Sequence, residues 1–374
     1  MKKDLQRRVW VEVDLKALCA NYQRIADAVS PAKVLCVLKA NAYGLGVEPC
    51  AAALSRTDCA GFGVAEPYEA LHLVSFGKPV QVLSSILPDE IYPMVEADVI
   101  LPVTDISTAR LIDKAAKRVG RKARVHFKID TGMGRLGILA SDAVETIKKV
   151  SLLENLDCEG IFSHCPTAYD PVDDFANEQI VVFKAILKEV EKEGIRFRKV
   201  HIAASDAINN FRAAKNTPFN MVRTGINLHG SFDPNGRRVL KLESVLTLKT
   251  RIAQVRTLPA GTTLGYGRTW CLSRSTKVAT ISAGYADGLP LALTNRGRVL
   301  VNNVPCPVIG RISMDYTTVD VSKAGDVKAG DEVIALGSSG RYSITPDDWA
   351  ALKGTHAYDI ICSFGNRVER VYKQ

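Results

Sequence analysis

The sequence predicts an α/β fold: an N-terminal (β/α)8 barrel followed by a mostly β C-terminal domain. Three observations lead there. From about residue 30 to 240, short apolar runs alternate with amphipathic helical patterns, and the runs number about eight. Eight alternating units close a barrel. The runs are mostly apolar, as strands buried on both faces beneath helices must be. After about residue 240 the texture changes to short β-type runs separated by Gly, Pro and Asn. On pattern alone, a doubly wound open sheet stays open for the first part.

Taken in order, residues 9–13 are strand-like, and a first helix starts near Asp14. The barrel strands are expected at 34–38, 61–65, 80–83, 98–101, 124–129, 158–162, 199–203 and 220–223. Between them, "DISTARLIDKAAKRVG" has Asp105 or Ser107 to cap its start, apolar residues at helical spacing, and Gly120 to end it. "DDFANEQIVVFKAILKEVEKEG" is a second helix, stopped by Gly194. The β domain is read from "VLTLKTRIAQVRTL", "KVATISAGYADG", "RVLVNNVPCPVIGRI", "YTTVDVS" and "DEVIALGS". The expected division is 1–240 and 241–374, with residues 1–13 able to pair with the second domain.

Composition narrows the class. The chain has 374 residues, 47% hydrophobic and 24% charged, enough for a sizeable core. Its net charge of +9 comes from 49 basic and 40 acidic residues, with no Lys/Arg block and no interleaved aromatics. That favours a basic surface with an anion-binding pocket over nucleic-acid binding. Nine cysteines, an odd number with no CxxC, read as reduced thiols. The N-terminal "MKKDLQRRVWVEVDL" lacks an apolar signal region, and no run reaches membrane-spanning length. A cytoplasmic protein without membrane or nucleic-acid partners is expected.

Polar residues gather at the ends of the expected strands. Lys39 ends the first; Lys128, Asp130 and Arg135 lie at and beyond the fifth; His164 follows the sixth and Ser205 the seventh; Arg223 ends the eighth. In an α/β barrel these ends converge on one mouth, where active sites lie. A lysine there, near other cations, has a lowered pKa and can attack an aldehyde, although a lysine that merely snorkels to the rim fits the same position. "RTGINLHG" places Gly225 and Gly230 after a strand, where bare N–H groups can face an anion, with Tyr43 and Ser205 as hydroxyl donors. A phosphate-bearing aldehyde cofactor explains both features and points to pyridoxal 5′-phosphate (PLP).

With these residues in view, nearly the whole chain resembles the PLP-dependent alanine racemases. "VLKANAYGLG", "FKIDTGMGRLG", "MVRTGINLHG", "LGYGRTW", "ISAGYADG" and "GRISMDYTTVD" match family motifs in order. The resemblance implies a homodimer with shared active sites and a two-base interconversion of L- and D-alanine for peptidoglycan. It makes Lys39 the cofactor lysine and one base, and Tyr266 of the partner subunit the other. It has Arg223 face the pyridine nitrogen, with His164 leading towards Tyr266. Tyr43, Ser205, Gly225, Ile226 and Tyr358 are implied as phosphate ligands. Arg135 and the backbone at Met314 are implied to receive the substrate carboxylate, with Tyr285 nearby and Asp315 in support. Lys128 resembles a lysine that is carbamylated in many members. No metal is expected.

Three positions depart from the family pattern. Ala204 stands where Asn is usual, His229 where Tyr is usual, and Cys165–Pro166 where small residues follow the histidine. They bear on substrate preference and cofactor geometry and remove no catalytic group. Two bases on opposite faces avoid one base swinging across a carbanion. A cation at the pyridine nitrogen, having no acceptor, keeps that nitrogen unprotonated and limits side reactions such as transamination. Alternatives are a serine or broader-specificity racemase, a barrel-type PLP decarboxylase, and a PLP-carrier barrel protein. Arg223 argues against the decarboxylase, and the β domain with Tyr266 against the carrier.

Overall fold

The computed structural model describes residues 7–374, in two compact units. One comprises Leu18–Ala42 and Gly46–Glu243; the other comprises Tyr43–Leu45, Ser244–Gln374 and the described part of Met1–Ala17.

The first unit is a closed parallel barrel. Its strands are Lys33–Val37, Gly61–Val64, Val80–Val82, Leu101–Val103, Ala123–Asp130, Leu156–Phe162, Lys199–His201 and Met221–Thr224. Two ladders carry most of the pairing, one running from Met221–Thr224 through Lys33–Val37 to Val80–Val82, the other from Leu101–Val103 to Lys199–His201. The bridge between Gln81 and Ile100 joins them on one side, with Val82 N–H donating to Ile100 O at 3.0 Å. On the other side Asn220 N–H donates to Val200 O at 3.1 Å and Arg223 N–H to Ala203 O at 3.0 Å, which completes the ring. The open sheet is thereby ruled out.

Helix ends follow the sequence signals. Asp105 accepts from Thr108 N–H at 2.8 Å to start Ile106–Val119, and Gly120 ends it at φ 78°. Gly194 at φ 77° follows Phe175–Lys192. One strand is displaced from expectation. The fourth runs Leu101–Val103 instead of 98–101, because Asp98 takes φ 58° and belongs to the preceding turn. Pro102 inside the strand made that run read as its end.

The second unit is built on Leu246–Leu258. Its first half pairs antiparallel with Val9–Asp14, Val11 opposite Leu248, and with Glu332–Ser339; beyond a bulge near Ile252 it pairs with Thr276–Ile281. Val9–Asp14 also pairs parallel with Glu369–Lys373. Two short helices, Pro346–Lys353 and Ala357–Cys362, interrupt the β texture. Among the described residues no disulfide joins the cysteines. Among the described residues no helix is long and apolar enough to cross a membrane.

Candidate active site

The first barrel strand stops at Val37, and Lys39 opens a turn of the opposite hand. Ala40, Asn41 and Ala42 take φ of 53°, 56° and 52°, and Tyr43 follows at 57°. For L-residues this region costs about 1–2 kcal/mol each, so surrounding bonds must hold it. Asn41 N–H donates to Glu69 Oε1 at 3.1 Å, and Ala42 N–H to Leu38 O at 2.8 Å. The Asn41 side chain accepts from Val47 N–H at 2.8 Å. Lys39 itself is exposed.

Four further cationic or basic groups share its surroundings. Lys128 is buried and donates to Leu83 O at 2.6 Å. Burial, then the charges of Arg223, Arg135 and Lys39, push its pKa down to about 7, against the pull of Asp130. His164 is pushed down to about 3 by burial and the same cations. Asp130 is occupied with the loop beyond its strand, accepting from the N–H groups of Gly132 at 2.9 Å, Gly134 at 3.1 Å and Arg135 at 3.2 Å. Among the described residues the Arg135 guanidinium has no carboxylate partner.

Arg223 is buried, and its donors meet neutral acceptors: Ser163 O at 2.8 Å, Ile202 O at 3.1 Å, His164 Nδ1 at 3.3 Å and His201 Nδ1 at 2.8 Å. Burial lowers its pKa to about 10, which leaves it charged. Arginine can only donate, so His201 Nδ1 must accept and its proton sits on Nε2. That Nε2 lies 3.1 Å from His126 Nδ1, which also accepts from Gln81 Nε2 at 3.0 Å. The His126 proton is therefore on Nε2, 3.8 Å from Glu159. Gly160 makes room for this ring, because a Cβ there would stand 2.6 Å from His126 Cε1. The chain from Arg223 to Glu159 has one consistent set of protons, with both imidazoles neutral.

Beyond the last strand, Gly225 N–H donates to Ser205 Oγ at 3.1 Å, and Ile226 opens the short turn Ile226–His229. The adjacent Thr224 hydroxyl is buried and has no hydrogen-bond partner among the described residues. Ala204 supplies no side-chain cap to the helix that starts at Ser205. His229 is fully buried, and burial lowers its pKa to about 4. Cys165 is buried and its thiol is pushed up to about 11, so it stays protonated. The fit to PLP is good: a strand-end cluster of basic groups with one accessible lysine, the Gly225 N–H with the Ser205 and Thr224 hydroxyls at the ends of the last two strands, and a buried arginine with no carboxylate partner among the described residues.

The second unit carries the other expected residues. The rings of Tyr43 and Tyr358 lie 6.0 Å apart. Tyr266 sits at the tip of the hairpin formed by Thr263–Leu264 and Trp270–Cys271, and is 73% exposed. Leu264 and Leu272 anchor that hairpin in a cluster with Val278 and Ile309. Tyr285 and Met314 are 43% and 52% exposed, and Tyr285 N–H donates to Ser313 O at 3.0 Å. Gly284 permits this approach, since a Cβ would stand 2.3 Å from Ser313 O. Arg367 fixes the same loop, bonding Asp315 at 2.7 Å and Asp287 at 2.7 and 2.9 Å. Three large groups in solvent on a well-anchored frame suit a surface that is offered elsewhere.

Sequence reasoning missed His201, His126 and Glu159. The available signal was polar residues inside otherwise apolar strands. Among the described residues, no group of three His, Cys, Asp or Glu could hold a metal ion.

The model of the alanine racemase N-terminal domain matches residues 13–233, and that of the C-terminal domain residues 245–372. The chain is 38% identical over 367 residues to alanine racemase 2 of Caldanaerobacter subterraneus, covering 97% of this chain and 94% of the relative. It is 37% identical over 378 residues to the alanine racemase of Halothermothrix orenii, covering 100% and 99%. The alanine racemase of D-cycloserine-producing Streptomyces lavendulae superimposes with a TM-score of 0.92 at 33% identity, covering 99% and 98%. That of Bartonella henselae, solved with covalently bound pyridoxal phosphate, gives 0.88 at 29% identity, covering 98% and 100%. The chain belongs to the alanine racemase family.

Proposed function

We propose that the protein interconverts L- and D-alanine with PLP held on Lys39, using Lys39 and Tyr266 of a second subunit as bases on opposite faces. The cluster of basic groups Lys39, Lys128, Arg135 and Arg223 with neutral His164 carries this reading. PLP, when bound, supplies the electron sink that makes an amino acid's α-proton removable. Lys39 Nζ, once the substrate's amino group has taken its place on the cofactor, would take that proton from one face. The Tyr266 Oη returns a proton to the other face. Arg135 and the Met314 backbone hold the substrate carboxylate, with Tyr285 beside them. Arg223, a donor only, would face the pyridine nitrogen and keep it unprotonated. Ser205, Gly225, Ile226, Tyr43 and Tyr358 would hold the phosphate. Thr224 beside Gly225, whose buried hydroxyl has no partner among the described residues, would be an additional donor for that turn.

The exposed Tyr266, Tyr285 and Met314 support a homodimer in which each β domain completes the partner's site. We place the enzyme in the cytoplasm, and D-alanine for peptidoglycan is the use we assign. Bordering the substrate, Tyr358 would leave room for a methyl side chain, with serine the second substrate. The test is exchange in heavy water. PLP-loaded protein with L-alanine should lose the α-proton and yield the D-isomer together. Exchange with retention of configuration would leave one working base and reject the role of Tyr266. No exchange on any amino acid would reject the racemase reading.

A further inference from the structure

The barrel unit carries a second cationic cavity, made from residues that none of the steps above uses. It encloses about 510 Å³ between the end of the first helix, the segment after Ser205–Asn210, and the stretch 237–240. Arg212, Lys215 and Arg237 line it, and no Asp or Glu does. Arg212 and Arg237 are exposed, and among the described residues neither guanidinium has a carboxylate partner. Lys215 is partly buried and spends one donor on Ile208 O at 3.1 Å. Burial, followed by the charge of Arg212, lowers its pKa. Val29, Ile208 and the 65%-exposed Val239 form an apolar flank.

We propose that this cavity binds a small multivalent organic anion, either a phosphate ester or a polycarboxylate. Three cations in a cavity that no Asp or Glu lines suit more than one negative charge. The apolar flank suits a short carbon body. The cavity wall also reaches the expected phosphate turn. Asn209 lines it, accepts from Leu240 N–H at 3.4 Å, and donates to Ser205 O and Asn227 Oδ1, each at 3.0 Å. Occupancy therefore has a path to the residues that hold PLP. This coupling rests on the cofactor reading; the binding does not.

The test is calorimetric titration of the PLP-loaded protein with pyrophosphate and, separately, with citrate, while the cofactor absorbance is followed. At least one probe should bind, with the cofactor retained. The probe that binds more tightly identifies the phosphate or the carboxylate class. The double variant Arg212→Ala/Arg237→Ala should weaken binding about tenfold or more, the loss expected for charge-assisted contacts, with racemisation unchanged. Ser205→Ala should leave probe binding intact. No binding of either probe, equal binding by the double variant, or binding that releases PLP would overturn the proposal. If the protein takes up no PLP, the cofactor reading fails, and the same titration still decides the cavity.

Discussion

Arg223 Nη1 and His201 Nδ1 lie 2.8 Å apart in the barrel interior, and the arginine, which can only donate, fixes the histidine's proton on the far nitrogen. The imidazole is neutral, held there by burial and by the Arg223 charge. This bond orients the guanidinium from behind. His201→Leu should leave the protein folded but free one arginine donor. A hydrogen bond to a charged group is worth about 1.5–3 kcal/mol, so kcat/KM should fall roughly ten- to a hundredfold. His201→Asn, which keeps an acceptor, should recover part of the loss. Equal activity of all three proteins would show that the carbonyls of Ser163 and Ile202 suffice.

Among the described residues Arg223 has no carboxylate partner that could relay a proton to a cofactor nitrogen placed against it. Arg223→Glu would supply one. The expected outcome is slower racemisation with a measurable rise in transamination, read as pyruvate released from alanine. A variant that only slows, with no pyruvate above the parent level, would remove the argument that the cation guards reaction specificity.

Lys128 titrates near 7, well below an ordinary lysine, because burial and Arg223 disfavour its charge. Above pH 7 its amine is mostly neutral and can take up CO2; below, it is mostly protonated and cannot. The carbamate would bring negative charge among Arg135, Arg223 and Lys39. With 13C-bicarbonate, a carbamate resonance should appear at pH 8, fade as the pH falls through about 7, and be absent from Lys128→Met. Its absence at pH 8 would leave Lys128 as a neutral amine bonded to Leu83.

Much of this site was legible and some was not, for physical reasons. Seven of the eight strands were readable because two-sided burial demands continuous apolar runs, while Pro102 obscured the remaining one. Lys39, Arg223 and Ser205 stood out as polar groups at strand ends. His126 and His201 did not, because a neutral histidine can be buried in a strand when the barrel interior satisfies it. The left-handed turn was hidden for a different reason. Ala40–Asn41–Ala42 contains no glycine, and its conformation depends on contacts from Glu69, 28 residues away. The helix Pro346–Lys353 did have a signal, the Thr345–Asp348 capping box with Pro346 at the first position, inside a stretch otherwise read as β.

The Asn41–Glu69 bond makes a separate prediction about that turn. Glu69 also receives the N–H groups of Ala65 and Glu66, each at 3.4 Å, so one carboxylate ties the turn after Lys39 to the loop after the second barrel strand. Glu69→Ala should destabilise the protein by about 1–3 kcal/mol, since the bonds are to a charged acceptor. It should also weaken PLP retention more than the stability loss explains, because the Lys39 backbone is no longer held. Glu69→Gln, which keeps one acceptor, should restore retention in part. Unchanged retention in a destabilised Glu69→Ala protein would confine Glu69 to a structural role.

The sharing of sites between subunits can be decided by mixing two inactive proteins. Lys39→Ala and Tyr266→Phe should each be inactive alone. If Lys39 works with Tyr266 of the partner, a mixed dimer contains one site missing both groups and one site with both intact. Random exchange makes half the dimers mixed, so the pool should regain about a quarter of the parent activity. If both groups came from the same chain, each site would lack one base whatever the pairing, and mixing would restore nothing. The exposure of Tyr266 at 73%, on a hairpin anchored by Leu264 and Leu272, favours the first outcome, because a base needs desolvation to work and this tyrosine does not obtain it within its own unit.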